Sequence, residues 1–227
     1  MKLLVTGATS LLGRSLVERL IGRGDTVSVL QRNSSGLGVT EYLGDVVDRR
    51  AVADSMAGAD AVIHLAARVA VTGSWAEFKA VNVQGTRNVV GAAQAAGVRR
   101  FVHVSSPSVA YHGESLVGAH AGPANPSRAK GNYARSKAHA ELVALGANSS
   151  DMAVVAIRPH LVWGPGDTQL IGRIVNRARA GRLAMVGSGA ALIDTTYVDN
   201  AADALVAAVD RSPEAVSYTH LRAHETV

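Results

Sequence analysis

The sequence has no cysteine among its 227 residues, which excludes disulfides, thiol catalysis and cysteine-ligated metal sites. Aromatic residues make up only 4% of the chain, whereas alanine, valine and glycine are plentiful, as suits helices packed closely on a sheet. No apolar run approaches the length of a transmembrane helix, and the apolar start is too short for the core of a signal peptide. We therefore expect a cytoplasmic protein without a membrane segment.

Charge is also sparse. The chain is 48% hydrophobic and 18% charged, which is typical of a folded globular domain. Its net charge of +5 is scattered, with no basic block and no interleaved aromatics, so nucleic-acid binding is not predicted. No group of histidine and acidic residues has the spacing of metal ligands, and no metal is expected.

The first thirteen residues hold the strongest signal. An apolar run at residues 3–5 predicts a buried parallel strand, and a glycine turn follows it directly. Leu12, Leu16 and Leu20 then recur at helical spacing. Strand, glycine turn and helix together indicate a dinucleotide-binding unit, in which Gly7 permits the tight turn and Gly13 lets the helix pack close to the strand. The alternative is an ordinary strand-to-helix turn.

Strands and helices alternate along the rest of the chain, which predicts an α/β fold with a doubly wound, Rossmann-like parallel sheet. Further strands are expected at residues 26–30, 40–43, 61–65, 100–105 and 154–157, and helices at 49–56, 78–97, 133–145 and 201–210. We expect residues 1–165 to form the dinucleotide-binding domain and residues 166–216 part of an incomplete substrate lobe.

The end of the second predicted strand bears on the cofactor. NAD enzymes place an acid there to hold the ribose hydroxyls, but this chain has Gln31 and Arg32. Because a guanidinium binds a 2′-phosphate with paired hydrogen bonds, the pair favours NADP, with NAD still possible. The alternative is that Arg32 is only a solvated loop residue. Ala66 and Ala67 follow a later strand and are small enough to let a flat ring approach the backbone.

Catalytic residue types occur in the second half of the chain. Ser105 and Ser106 end a predicted strand, where open α/β sheets place ligands. Tyr133 and Lys137 are one helical turn apart, so the lysine can lower the tyrosine pKa while a serine polarises the substrate oxygen. The alternative is a pair of surface side chains with no catalytic role.

These motifs resemble the extended short-chain dehydrogenase/reductase family. Residues 6–13 match its Thr-Gly-x-x-Gly-x-x-Gly turn, although Ser10 replaces the middle glycine and is expected to cost backbone freedom. Further matches are Asp45-Val46, the segment at 64–67, Asn-x-x-Gly-Thr at 82–86, and Arg-Pro-x-x-x-x-Gly-Pro-Gly at 158–166.

The resemblance implies catalysis by Ser106, Tyr133 and Lys137. It implies cofactor contacts at Gly7, Thr9, Ser10, Leu11, Leu12, Gly13, Gln31, Arg32, Asp45, Val46, Leu65, Ala66, Ala67, Asn82, Ser105, Tyr133, Lys137, Pro159, His160 and Val162. His160 is expected near the nicotinamide and substrate. His64 and His103 are interpreted as core or strand-end histidines with satisfied hydrogen bonds rather than as ligands.

Segments 105–109 and 194–200 resemble the 3β-hydroxysteroid dehydrogenase branch, which includes 2-alkyl-3-oxoalkanoate reductases. That likeness implies a small, apolar substrate and a homodimer in a full-length parent. Two alternatives remain. A nucleotide-sugar epimerase or dehydratase usually has a basic residue where Ile193 stands, and a non-catalytic NADP-sensing regulator would not need the Tyr–Lys pair.

The last segment, residues 217–227, departs from the family pattern and resembles translated sequencing-adapter read-through, with a divergent natural terminus as the alternative. We expect it to be irregular and exposed. Family topology would place a further strand beside residues 154–157, which would otherwise lie at an unprotected sheet edge.

Overall fold

The computed structural model describes residues 1–70, 72–111, 113, 120–168, 171–185, 187–189 and 193–212. Six strands form one parallel sheet in the order β3-β2-β1-β4-β5-β6. They are β1 (Lys2–Thr6), β2 (Thr26–Gln31), β3 (Thr40–Leu43), β4 (Ala61–His64), β5 (Arg100–Val104) and β6 (Ala153–Ile157). The predicted doubly wound sheet is confirmed, and the predicted tail at 217–227 lies outside the described residues.

Helices cover both faces of the sheet. They are α1 (Leu11–Gly22), α2 (Arg49–Ser55), α3 (Trp75–Phe78), α4 (Gly85–Ala95), α5 (Gly131–Leu145), α6 (Ile171–Arg179) and α7 (Val198–Arg211). A π-helical segment, Lys79–Gln84, joins α3 to α4, and a 3-10 helix, Pro107–Ala110, follows β5. None of the helices in the part of the chain that the structure describes is long and apolar enough to cross a membrane.

Successive side chains of the buried strands point to opposite faces of the sheet, so the core has two apolar layers, one on each face. Leu3 and Val5 of β1 pack with Leu16 of α1 and Leu205 of α7 on one face. Leu4 packs on the other face with residues of α2 and α4. Burying strands on both faces explains why their sequences read as apolar runs.

The structure differs from the sequence prediction around residues 75–95. One continuous helix was expected over 78–97, but a π-helical turn interrupts the α-helical ladder between α3 and α4. Within this turn the Asn82 side chain faces inward, and the Thr86 hydroxyl donates to the Asn82 carbonyl at 2.6 Å. Such π turns frequently mark functional sites.

The C-terminal part of the described chain is only partly packed. A short pair of parallel strands, β7 (Val162–Trp163) and β8 (Thr196–Tyr197), precedes α7, which packs on α1 within the main core. No side chain of α6 is buried. The division of the chain at residue 165 stays a prediction.

Candidate active site

The glycine turn after β1 has no room for side chains. Gly7 has a φ of +79°, and a Cβ on it would lie 2.9 Å from the Ala66 nitrogen, in the segment after β4. A Cβ on Gly13 would lie 2.5 Å from the Gly7 carbonyl oxygen. Both positions therefore require glycine, as the sequence predicts.

The expectation that Ser10 costs backbone freedom is wrong. Its φ of −73° and ψ of 161° are ordinary extended values, so replacing the middle glycine costs no backbone freedom here. Ser10 instead caps α1: its Oγ accepts a hydrogen bond from the Gly13 nitrogen at 3.0 Å and donates to the Gly7 carbonyl at 2.9 Å. Ser10 therefore stabilises the turn with side-chain hydrogen bonds that a glycine could not make.

Gly13→Ala is expected to lower the free energy of unfolding by about 1–3 kcal/mol, because the new methyl group overlaps backbone atoms of the turn. It is also expected to weaken dinucleotide binding. Gly91→Ala is the matched control, since Gly91 is exposed in α4 with no atom within 4 Å of its Cβ position. That change should stabilise by about 0.5–1 kcal/mol. Urea unfolding measures both, and equal effects would contradict the packing argument.

At the end of β2, Gln31 is buried and Arg32 is exposed. The Gln31 Nε2 donates to Glu41 Oε1 of β3 at 3.4 Å. Its Oε1 is buried and has no hydrogen-bond partner among the described residues. Sequence reasoning missed Glu41 because its approach to Gln31 depends on strand pairing.

The turn at Asp45 and Val46 is held by α4. Asp45 Oδ1 accepts from the Val47 nitrogen at 3.1 Å, and Asn88 Nδ2 donates to the Val46 carbonyl at 3.0 Å. A Cβ on Gly85 would lie 2.6 Å from Val46 Cγ2. The Gly85 of the Asn-x-x-Gly-Thr motif is therefore needed for close packing of α4 on this turn.

His64 links the glycine turn to the π-helical turn. The Thr86 hydroxyl donates its proton to the Asn82 carbonyl. Thr86 Oγ1 therefore acts as the acceptor toward His64 Nε2, at 3.1 Å. His64 Nδ1 then accepts from the Thr6 hydroxyl at 2.7 Å, and Thr6 Oγ1 accepts from the Ala66 nitrogen at 3.1 Å. Burial lowers the pKa of His64 to about 3, so the ring is neutral. The interpretation of His64 as a satisfied core histidine is confirmed.

His103 is different. It pairs with His64 across β4 and β5 and is buried, but neither ring nitrogen has a hydrogen-bond partner among the described residues. The expectation that its hydrogen bonds are satisfied is therefore wrong. Burial holds its pKa well below the usual range, with Lys137 adding to the effect, so the ring is neutral.

Asn82 connects the segment after β4 to α5. Its Oδ1 accepts from the Arg68 nitrogen at 2.7 Å, and its Nδ2 donates to Ser136 Oγ at 2.8 Å. Ser136 in turn donates to the Tyr133 carbonyl at 2.7 Å. Asn82 therefore helps to place the turn of α5 that carries the predicted catalytic residues, and its contact with a cofactor stays a prediction.

The structure brings Ser106 and Tyr133 together beyond the end of β5. Ser106 caps the 3-10 helix, and its Oγ lies 2.9 Å from Ser108 Oγ. Tyr133 packs edge-on against Phe78, with ring centroids 6.5 Å apart. Burial raises the pKa of Tyr133, while the neighbouring Ser106 side chain acts in the opposite direction.

Lys137 lies one turn further along α5 and is 3% exposed. Its Nζ donates to the Val104 carbonyl, at the end of β5, at 2.6 Å. Burial lowers the pKa of Lys137 to about 8, and the nearby Glu141 carboxylate opposes that shift. The pKa of Tyr133 is raised and not lowered in this structure, and a lowering of it by Lys137 stays a prediction.

Glu141 and Arg158 form a buried ion pair near Lys137. Glu141, one turn further along α5, accepts from Arg158 Nε at 2.9 Å and also from Arg158 Nη2. Arg158 Nη1 donates to the Gly122 carbonyl at 2.8 Å, which ties the segment before α5 to the end of β6. The sequence analysis missed this pair, although Glu141 continues the four-residue spacing of Tyr133 and Lys137.

The remaining predicted site residues follow the ends of β1, β4, β5 and β6. Thr9 is exposed in the glycine turn, and Leu12 is buried at the start of α1. Partly buried positions are Leu11, Leu65, Ala66, Ala67, Pro159, His160 and Val162. Ser105 is buried, its nitrogen donates to the Ile157 carbonyl at 2.7 Å, and its Oγ lacks a partner among the described residues. Within that same part of the chain, no group of three or more His, Asp or Glu could hold a metal.

Comparison with known proteins agrees with the motifs. Residues 4–222 match the family model of the 3-beta hydroxysteroid dehydrogenase/isomerase family. The chain is 43% identical over 209 residues to a 2-alkyl-3-oxoalkanoate reductase of Stenotrophomonas maltophilia, covering 89% of this chain and 63% of that protein. It is 34% identical over 212 residues to a 3-beta-hydroxysteroid dehydrogenase of Mycolicibacterium neoaurum, covering 88% and 58%. The chain therefore spans a little over half the length of these relatives.

Solved structures share the fold. The UDP-glucose 4-epimerase of Thermus thermophilus, in complex with NAD, matches with a TM-score of 0.78 at 28% identity, covering 97% of this chain and 78% of that one. The dTDP-glucose 4,6-dehydratase of Streptomyces venezuelae, with NAD bound, matches with a TM-score of 0.83 at 27% identity, covering 98% and 76%. Given the family-model match over nearly its whole length, the chain belongs to the 3-beta hydroxysteroid dehydrogenase/isomerase family.

Proposed function

We propose that the protein is a nicotinamide-dependent oxidoreductase that interconverts a hydroxyl and a ketone on a largely apolar substrate. The observation that carries the proposal is that Ser106 and Tyr133 lie on elements that pack together beyond β5, with Lys137 one turn further along α5. The reductase and dehydrogenase names of the relatives at 43% and 34% identity support the reaction class. They also favour a 3-oxoalkanoate or 3β-hydroxysteroid over a sugar nucleotide.

The residues around the glycine turn fit a dinucleotide. Gly7 and Gly13 let the turn, the segment after β4 and the start of α1 pack so closely that a Cβ on either glycine would overlap neighbouring atoms. Ser10 uses the N–H groups of Gly13 and Arg14, which leaves those of Leu11 and Leu12 to face a pyrophosphate at the positive end of α1. Gln31 Oε1, a buried acceptor without a partner among the described residues, fits an adenosine ribose hydroxyl. A nicotinamide dinucleotide held here would supply or accept the hydride.

Side chains of the protein transfer the proton to and from the substrate oxygen. In the direction of reduction, the Tyr133 hydroxyl donates a proton to the oxygen that becomes the alcohol, and the Ser106 hydroxyl donates a hydrogen bond to the same oxygen. In the reverse direction Tyr133 must first ionise, and lowering its pKa by about three units requires about 4 kcal/mol. An ammonium at roughly 4 Å supplies about that much at an effective dielectric near 20. We assign this role to Lys137, which lies one helical turn from Tyr133 on α5.

A turnover assay tests the proposal. The purified protein is given NADPH or NADH with a 2-alkyl-3-oxoalkanoate, a 3-ketosteroid or UDP-glucose. We expect cofactor oxidation with an apolar ketone and no conversion of the sugar nucleotide. Conversion of UDP-glucose, without consumption of either apolar ketone, would replace this proposal by the epimerase alternative.

The epimerase or dehydratase alternative rests on the nucleotide-sugar enzymes among the structural matches. Their identity to this chain is lower, at 27–28%, than that of the reductase at 43%. Ile193 is 63% exposed at the position where a sugar diphosphate enzyme usually has a basic residue. Homodimer formation stays a prediction, which light scattering would test.

Arg32→Ala is expected to weaken NADPH binding by about ten- to a hundredfold while leaving NADH binding nearly unchanged. The reason is that the exposed guanidinium at the end of β2 can make charge-assisted hydrogen bonds to the 2′-phosphate, which NADH lacks. Titration of both proteins with both cofactors measures the effect. Unchanged NADPH affinity would show that Arg32 is a solvated loop residue.

A further inference from the structure

Glu41 is a carboxylate held at the cofactor edge of the sheet by three hydrogen bonds. Its Oε1 accepts from the Ser35 nitrogen at 2.8 Å, from the Ser35 hydroxyl, and from Gln31 Nε2 at 3.4 Å. These bonds fix Glu41, which pairs with Val29 on the neighbouring strand, against the loop that follows β2. The bonds from Ser35 lower the pKa of Glu41, so the group is ionised at neutral pH.

Glu41 also sets the orientation of the Gln31 amide. A carboxylate accepts only, so the amide must turn its NH2 group toward Glu41. Gln31 Oε1 then points away from Glu41, buried and without a partner among the described residues. Gln31 occupies the strand-end position that faces the adenosine ribose in dinucleotide sites. The site therefore offers the ribose an acceptor, which suits a 2′-hydroxyl and repels a 2′-phosphate.

We propose that Glu41 is a specificity-determining residue that lowers the preference for NADP, acting through its charge and through Gln31. The inference rests on the proposed function, because it requires the nicotinamide dinucleotide to bind at this edge. Glu41 supplies from β3 the negative charge that is missing from the end of β2. It opposes Arg32, which is exposed at the same strand end and attracts a 2′-phosphate.

The test compares the ratio of NADPH to NADH affinity in four proteins, each titrated with both cofactors: the unmodified chain, Glu41→Gln, Glu41→Asp and Glu18→Gln. Glu41→Gln keeps an amide oxygen for Ser35 and removes only the charge. Glu41→Asp keeps the charge. Glu18→Gln removes an exposed carboxylate of α1 and controls for net charge. Thermal melting confirms that each variant is folded.

Glu41→Gln is expected to raise the NADPH-to-NADH affinity ratio by about three- to tenfold, the size expected of one nearby charge in partly solvated surroundings. The increase should shrink with added salt. Glu41→Asp and Glu18→Gln should leave the ratio within about twofold of the unmodified chain. If both cofactors bind and Glu41→Gln leaves the ratio unchanged, this inference is wrong and the proposed function stands. If neither cofactor binds the unmodified chain, both are overturned.

Discussion

Tyr133→Phe is expected to lower kcat by about 10²- to 10⁴-fold, because the variant keeps the ring but has no proton to exchange with the substrate oxygen. The phenyl ring retains the edge-on contact with Phe78, at 6.5 Å between centroids, so the start of α5 should stay in place. Cofactor affinity should remain close to that of the unmodified protein. Steady-state kinetics and cofactor titration of both proteins measure the two quantities.

Tyr111→Phe is the matched control for this experiment. Tyr111 ends the 3-10 helix that Ser106 caps, and it is 43% exposed. Removing its hydroxyl makes the same chemical change at an exposed position, and it should leave kcat within about twofold, because substitutions of exposed side chains usually have small effects. A Tyr133→Phe variant that kept most of its kcat would overturn the catalytic assignment.

The sheet could be predicted from the sequence because each strand and turn carries a local signal. β1 is apolar on both faces, and Gly7 stands where the backbone must take a positive φ. A helix is predicted over residues 201–210, and α7 covers these residues, with its apolar side, including Leu205, packed on α1. These features depend on neighbours in the chain, so periodicity and glycine placement reveal them.

Features that depend on distant contacts could not be predicted. Glu41 reaches Gln31 only because β3 pairs beside β2, and nothing local to either residue marks the contact. The π-helical turn arises where Asn82 faces inward to bond with Arg68 and Ser136. Motif matching could name Asn82 as a site residue, but its protein partners follow from the packing of α5.

Lys137 shows the limit of reasoning from spacing alone. Its place one turn after Tyr133 predicts a shared helix face, and the structure confirms that both lie on α5. Spacing does not reveal that the Val104 carbonyl lies within 2.6 Å of Nζ. Nor does it show that burial lowers the pKa of Lys137 to about 8. The protonation of this group is thus set by the packing of α5 against β5.

The buried pair of Glu141 and Arg158 gives the largest expected effect on stability. Glu141 is fully buried and Arg158 is 8% exposed, and the two share two hydrogen bonds. Glu141→Met should lower the free energy of unfolding by about 3–5 kcal/mol, because it leaves the Arg158 guanidinium buried without a counter-charge. Because Glu141 raises the pKa of Lys137, the variant should also lower that pKa further.

Two further variants distinguish the stability lost by leaving a buried charge unpaired from the stability that the ion pair itself contributes. Glu141→Met combined with Arg158→Met should recover most of the lost stability, since replacing both members of a buried pair by apolar groups is often neutral. Asp203→Asn breaks the exposed pair with Arg19, at 2.8 Å, and should cost less than about 1 kcal/mol. Urea unfolding of all three variants measures these differences. A double variant as unstable as Glu141→Met alone would show that the loss comes from packing or from the Gly122 contact, and not from the unpaired charge.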